Sequence, residues 1–190
     1  MRFTILASAL VLLVAVGISS PVAASWYWSP NVLPKASAPA LPPAAPLPQA
    51  GNGSAVVPGV LWGSDGEVRY VVDRINALRE SQSLSPMALD PTLTELATLR
   101  LKDLLSHGAF THDTPSYGTA LQMERAFGLT YRVMGAENLA AHRSVAWAEM
   151  ILEASPLHRQ NLLSPYHTLL GLAIAHKGGT VYILQLFAGR

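Results

Sequence analysis

The chain has 190 residues, a formal net charge of +1, 13% charged residues and no cysteine. That length gives room for one domain with a real core, and the charge balance excludes the basic footprint of a nucleic-acid binder. The lack of cysteine excludes disulfides, a thiol nucleophile and a thiolate metal site, so any bound metal must use His, Asp, Glu or backbone oxygen.

Residues 1–24 read as a signal peptide. Arg2 is the positive start, ILASALVLLVAVGI the apolar stretch, and Val22-Ala23-Ala24 a small-residue cleavage site. The apolar run is short for a spanning helix of ~20 residues. The expectation is a secreted protein, extracellular or at the cell envelope, with no stable transmembrane segment after cleavage; an uncleaved anchor is the alternative. Residues 25–64 form a Pro/Ala-rich linker that holds most of the nine prolines at or before Pro58, out of 14 in the chain. Such a composition buries no core and predicts disorder. The folded domain is expected over residues 65–190.

Ser64 with Glu67 three residues on is a capping box, and Val68, Val71, Val72, Ile75 and Leu78 follow at helical spacing to about Gln82. LSPMALD is a connector. Asp90 caps a second helix with Pro91 at its first position, and Leu93, Leu96, Ala97, Leu101, Leu104 and Leu105 form its stripe up to about His107. GAFTHDTPSYG, Gly108 to Gly118, is a loop by composition. TALQMERAFG is a third helix ending at Gly128. TYRVMGAENLA holds a short strand before a turn at Gly135. A fourth helix starts near Ser144 and turns Val145, Ala148, Ile151 and Leu152 inward.

SPLHRQNLL, Ser155 to Leu163, starts another helix, with Ser155 as cap and Pro156 at its first position. The apolar runs TLLGLAIAH and TVYILQLFA flank Lys177-Gly178-Gly179, a strong hairpin signal. Both runs are apolar at nearly every position, which predicts strands covered on both faces. Helices first and strands last, without βαβ alternation, give an α+β domain, a sheet sandwiched between helices with a C-terminal antiparallel hairpin.

Three protic residues stand out. His112 lies in the turn-rich loop and Glu137 on irregular backbone after the Gly135 turn, beside apolar neighbours, where a carboxylate needs a partner. His158 falls in a first helical turn, where the dipole favours the neutral imidazole that binds metal or accepts a proton. Two histidines and a glutamate match the ligand set of a zinc site with an open position, although the HExxH spacing is absent. Arg159 and Asn161 are expected to fix backbone. His107, His142, His167 and His176 read as surface residues.

Asn76-Ala77-Leu78-Arg79, Leu89-Asp90-Pro91, FTHDTPSYG, GAENLA, SPLHRQNLL, LGLAIA and QLF occur in that order. Together they resemble the bacterial branch of the CAP superfamily, the SCP-like domains (cysteine-rich secretory proteins, antigen 5, pathogenesis-related 1). The resemblance covers about Glu67 to Arg190. It implies an α-β-α sandwich with a cleft, in which eukaryotic members place two His and two Glu able to hold a divalent cation. His112, Glu137 and His158 match three of these positions. The second glutamate has no match at the expected offset; Glu149 and Glu153, one helical turn apart, are its nearest substitutes.

Two function classes follow. One is a non-enzymatic module binding a small-molecule, lipid or cell-wall ligand, or a divalent cation with Zn²⁺ the best fit, and expected to be a monomer. The other is a metal-assisted hydrolase of peptide or wall polymer, with Glu137 as general base.

Overall fold

The computed structural model describes residues 57–190. The signal and most of the linker read from the sequence lie outside the described residues. β1 (Val60–Trp62) corrects the linker boundary: it pairs antiparallel with β4 (Leu169–Lys177). The folded part therefore begins before Asp65, and Val57 is already buried in the core. Three apolar residues beside a Pro/Gly-rich stretch are too short a signal to separate from it.

α1 (Asp65–Glu80) carries the expected capping box, with Ser64 and Glu67 bonded in both directions. Its Arg79 is buried and donates to the carbonyls of Ser85, Leu162, Ser164 and His167. Burial alone pulls the Arg79 pKa below its ordinary value. Asn76 brackets Met87, donating to its carbonyl and accepting from its N–H. These contacts hold the connector, in which β2 (Ala88–Leu89) runs parallel to β4.

α2 (Pro91–His107) starts on the Asp90 cap and ends on Gly108 at φ 65. α3 (Ala120–Ala126) is capped by Thr119, with Gln122 completing a second capping box. α4 (Val145–Ala154) and α5 (Pro156–Leu162) follow β3 (Val133–His142). β4 and β5 (Thr180–Gly189) form the expected hairpin, with Lys177 opposite Thr180 and both turn glycines at positive φ. That conformation suits a two-residue turn between twisted strands.

The sheet order is β1-β4-β5-β3, with β2 beside β4. Helices cover both faces, so this is the α-β-α sandwich expected. Alternation along β4 and β5 sorts the core. Leu169, Ala173, Ala175, Leu184, Leu186 and Ala188 pack with α2 and α3. Leu170, Leu172, Ile174, Val181, Ile183 and Phe187 pack with α1, α4 and α5. Gly171 faces α2 so closely that a Cβ there would overlap the Leu93 backbone.

Three expectations are corrected. Glu137 is on a strand, not irregular backbone: β3 runs through Gly135, whose φ of 89 makes a register shift between Val133 and Ala136 rather than a turn. Ile151 is exposed, while Glu149 takes an inward place on α4. His167 is buried, stacked on Phe187 at 5.3 Å, with its Nδ1 at 2.9 Å from the Asn161 carbonyl.

Candidate functional site

The site is built on β3, the strand at one end of the sheet order. Glu137 stands opposite Leu186 and Asn138 opposite Gln185, so the two side chains leave opposite faces of the sheet. Glu137 turns to the α2 layer and Asn138 to the α4–α5 layer.

On the first face Arg100 of α2 is fully buried and every nitrogen of its guanidinium is committed. Its Nε–H donates to Glu137 Oε2 and Nη2 to Oε1 at 3.3 Å. Nη2 also donates to the His112 carbonyl at 2.6 Å, and Nη1 to the Gly118 carbonyl at 2.8 Å. Arg100 therefore fixes the carboxylate and both arms of the 108–118 loop together. Three residues along the same helix, Asp103 accepts from the Ser116 N–H and hydroxyl at 2.9 and 2.6 Å. A loop that composition alone leaves free is thus tied by these four hydrogen bonds at three of its residues.

His112 Nδ1–H donates to Glu137 Oε1 at 2.7 Å. A carboxylate held by a guanidinium only accepts, which fixes the tautomer and leaves Nε2 as the acceptor. The His112 side chain is about half exposed, so Nε2 faces outward.

On the second face Asn138 donates to the His158 carbonyl at 3.2 Å and to Gln185 Oε1 at 3.0 Å. Asn161 donates to the Glu137 carbonyl and to Asn138 Oδ1. Arg159 donates to the Glu153 carbonyl. Asn161 and Arg159 thus hold backbone, as expected from their chemistry. His158 Nδ1 pairs with Ser155 Oγ at 2.8 Å. That hydroxyl is engaged there and makes no cap bond to the helix, which corrects its expected role. The His158 pKa is lowered by burial and then by the nearby His112. Burial and a neighbouring imidazole, more than the dipole of a seven-residue helix, keep this ring neutral.

The structure brings His112, Glu137 and His158 to one edge of the sheet. As placed, they offer an ion two imidazole Nε2 atoms and no free carboxylate, because both Glu137 oxygens serve Arg100 and His112. Among the described residues no group of three or more His, Asp or Glu is arranged to hold a metal ion. The three side chains in this arrangement do not fit a zinc ion with three protein ligands.

Glu149 and Glu153 do not join the histidines. Glu149 is fully buried and accepts from Gln185 Nε2 at 2.7 Å. Burial, and then Glu153, push its pKa up to about 8, so it is a neutral acid at neutral pH. Glu153 forms an ion pair with Arg74 at 2.6 Å. Glu124 of α3 is a second buried acid. Burial raises its pKa to about 7, against Gly135, whose amide approaches without either carboxyl oxygen closing a good hydrogen bond.

Sequence reasoning missed Arg100, Gln185 and Glu124. A usable signal existed for Arg100, a charge four residues from both Leu96 and Leu104 and so in line with the apolar stripe.

The model of the cysteine-rich secretory protein family, CAP, matches residues 72–187. The uncharacterized protein YkwD of Bacillus subtilis (strain 168) is 33% identical over 113 residues, 58% of this chain and 43% of that protein. The chain thus spans less than half the length of the curated relative it matches. An extracellular protein containing an SCP domain from Bacillus anthracis superposes with a TM-score of 0.60 at 27% identity, over 66% of this chain and 41% of that one. An outer surface protein of Borrelia burgdorferi gives a TM-score of 0.62 at 19% identity, over 68% of this chain and 98% of the other, a likeness of fold alone.

Proposed function

The chain belongs to the cysteine-rich secretory protein (CAP) family, in a form of bacterial type, and we propose that it is a non-enzymatic binding module working at the cell envelope or outside the cell. Its contact centre is the edge where His112 and His158 present Nε2. One observation carries this reading. Glu137, the general base that a hydrolase reading of this site would use, has its carboxylate closed between Arg100 and His112. A general base needs a free lone pair aimed at substrate or water, and breaking into a buried Arg–Glu pair is costly.

The chemistry on offer is a pair of imidazoles, His112 accepting through Nε2 and His158 neutral. That suits a ligand rich in hydroxyl and amide groups, such as a cell-wall glycopeptide, better than a charged one. The described residues fit the proposed location, since no helix among them is long and apolar enough to cross a membrane. The Bacillus anthracis neighbour, described as an extracellular protein, points the same way.

The test is titration of the full chain with soluble peptidoglycan fragments, following the imidazole resonances and the fragment composition. Shifts at His112 and His158 that vanish in His112→Ala, with fragments unchanged, are expected. Fragment cleavage abolished by Glu137→Gln would establish the hydrolase instead. In a zinc arm, saturable calorimetric binding lost in both His112→Ala and Glu137→Gln would mean that Glu137 leaves Arg100 to ligate, and would replace the wall-ligand reading.

A further inference from the structure

A fully buried acid is an expensive residue, and Glu149 makes no contact with the histidines. It turns inward from α4 with no exposed surface. A leucine there would avoid the cost of desolvating a carboxyl group. Among the described residues Oε1 has no hydrogen-bond partner, while Oε2 accepts from Gln185 Nε2 at 2.7 Å. What Glu149 offers its surroundings is one acceptor, aimed at Gln185.

Gln185 opens a chain of amides that ends at the histidine edge. Its Oε1 accepts from Asn138 Nδ2 at 3.0 Å, and Asn138 Oδ1 accepts from Asn161 Nδ2 at 2.9 Å. All three bonds donate in one direction, from α5 through β3 and β5 to α4. The α5 end is tied to backbone. Asn138 Nδ2 also donates to the His158 carbonyl, and Asn161 Nδ2 to the Glu137 carbonyl, both at 3.2 Å. Asn138 and Gln185 are fully buried and stand opposite each other across the two strands. A carbonyl only accepts, so a reversed Asn138 would set Oδ1 against the His158 oxygen. The chain therefore needs an acceptor at its other end, where Gln185 would otherwise bury an unpaired amide N–H. A carboxyl group supplies that acceptor whether or not it is ionised.

We propose that Glu149 is a positioning residue for the binding edge. Through Gln185 and Asn138 it fixes the α5 backbone at His158, and hence where that ring meets a ligand. That His158 meets a ligand rests on the proposed binding function; the relay from α4 to α5 does not. Buried polar chains of this kind hold their members in one arrangement. His112 lies outside the relay, since Arg100 and the Glu137 side chain hold it from the other face of the sheet. The two rings thus answer to different anchors, and loosening this one moves His158 alone.

The test is NMR of the histidine rings and side-chain amides in the full chain without ligand. It compares Glu149→Leu with a double variant, Glu149→Leu and Gln185→Leu. The double variant replaces both partners by apolar side chains, a change that can be nearly neutral for stability. In the double variant the Asn138 side-chain amide protons should exchange about tenfold faster, the factor for one lost hydrogen bond. In both, the His158 titration midpoint should rise, because the burial that lowers it is relaxed, while the His112 ring resonances keep their positions. Glu149→Gln, which keeps an acceptor for Gln185, should match the wild type at His158. An unmoved His158 in both leucine variants overturns the proposal. So does a His112 that moves as far as His158, which marks general loosening, and so does a double variant that fails to fold, which makes the pair a stability element. Wall fragments that fail to bind refute the binding function alone, since none of these readouts contains ligand.

Discussion

Replacing Arg100 by Met tests the account of the site most directly. The change removes the guanidinium and keeps much of its volume. It leaves Glu137, whose side chain is 3% exposed, charged and without its cation. It also frees the His112 and Gly118 carbonyls that Arg100 holds at 2.6 and 2.8 Å. Removing one partner of a buried ion pair costs about 3–5 kcal/mol, because the other charge stays buried and unpaired. Most of that penalty belongs to the orphaned carboxylate. Adding Glu137→Gln should therefore return about half of it, leaving the lost carbonyl contacts at about 0.5–1.5 kcal/mol each. Urea unfolding followed by circular dichroism measures all three chains, and a histidine NMR spectrum reports whether the His112 Nδ1 proton is still held. A loss below about 1 kcal/mol in Arg100→Met, or a double variant less stable than the single one, would show that the carboxylate is not closed as described.

The buried acid Glu149 keeps its proton to about pH 8 when folded, whereas the unfolded chain loses it near 4.5. Across that window the native state binds more protons, so stability falls as pH rises, by up to about 1.4 kcal/mol per unit. Glu149→Gln should flatten this slope in pH-dependent urea melts while Gln185 keeps an oxygen to donate to. His158 and His167 act at the other end. Their folded pKa values lie below the ordinary 6.5, so stability falls as pH drops below that value; His167→Phe, which keeps the stack on Phe187, should reduce the acid-side loss in the same melts. Gly171→Ala should cost about 1–3 kcal/mol by pushing α2 off the sheet, read as a lower urea midpoint with unchanged slope.

Much of the fold was legible because local and long-range signals agreed. Ser64 and Asp90 each had a cap, a stripe and an end, and the glycine pair after Lys177 had two apolar runs of matching length. Where one residue carried two meanings the sequence misled. Gly135 reads as a turn, yet in β3 it is a bulge that lets the strand continue, and Glu137 with it. Ile151 fits the inward stripe of α4 by type, but Glu149 goes inward because Gln185 waits for it on β5. His112 and His158 were picked out by loop and helix-start patterns and by the family resemblance, while Arg100, which organises the His112 side, was not picked out at all. Arg100 lies on the α2 stripe, and its partners at 112, 118 and 137 meet it only once the loop folds back onto the helix.

The two imidazoles are held by different layers of the sandwich. His112 belongs to the unit that Arg100 assembles from α2, the loop and Glu137. His158 belongs to α5 and is fixed through Ser155, with its carbonyl tied to Asn138. Only β3 joins the two systems, sending Glu137 to one face and Asn138 to the other. A ligand that bridges both Nε2 atoms therefore ties the α2 and α5 layers across the open edge of the sheet. Binding of this kind needs no hinge and no movement of the buried pair. It stabilises the native state by RT ln(1 + [L]/Kd), and that gain disappears when either ring is removed, because one imidazole alone spans nothing.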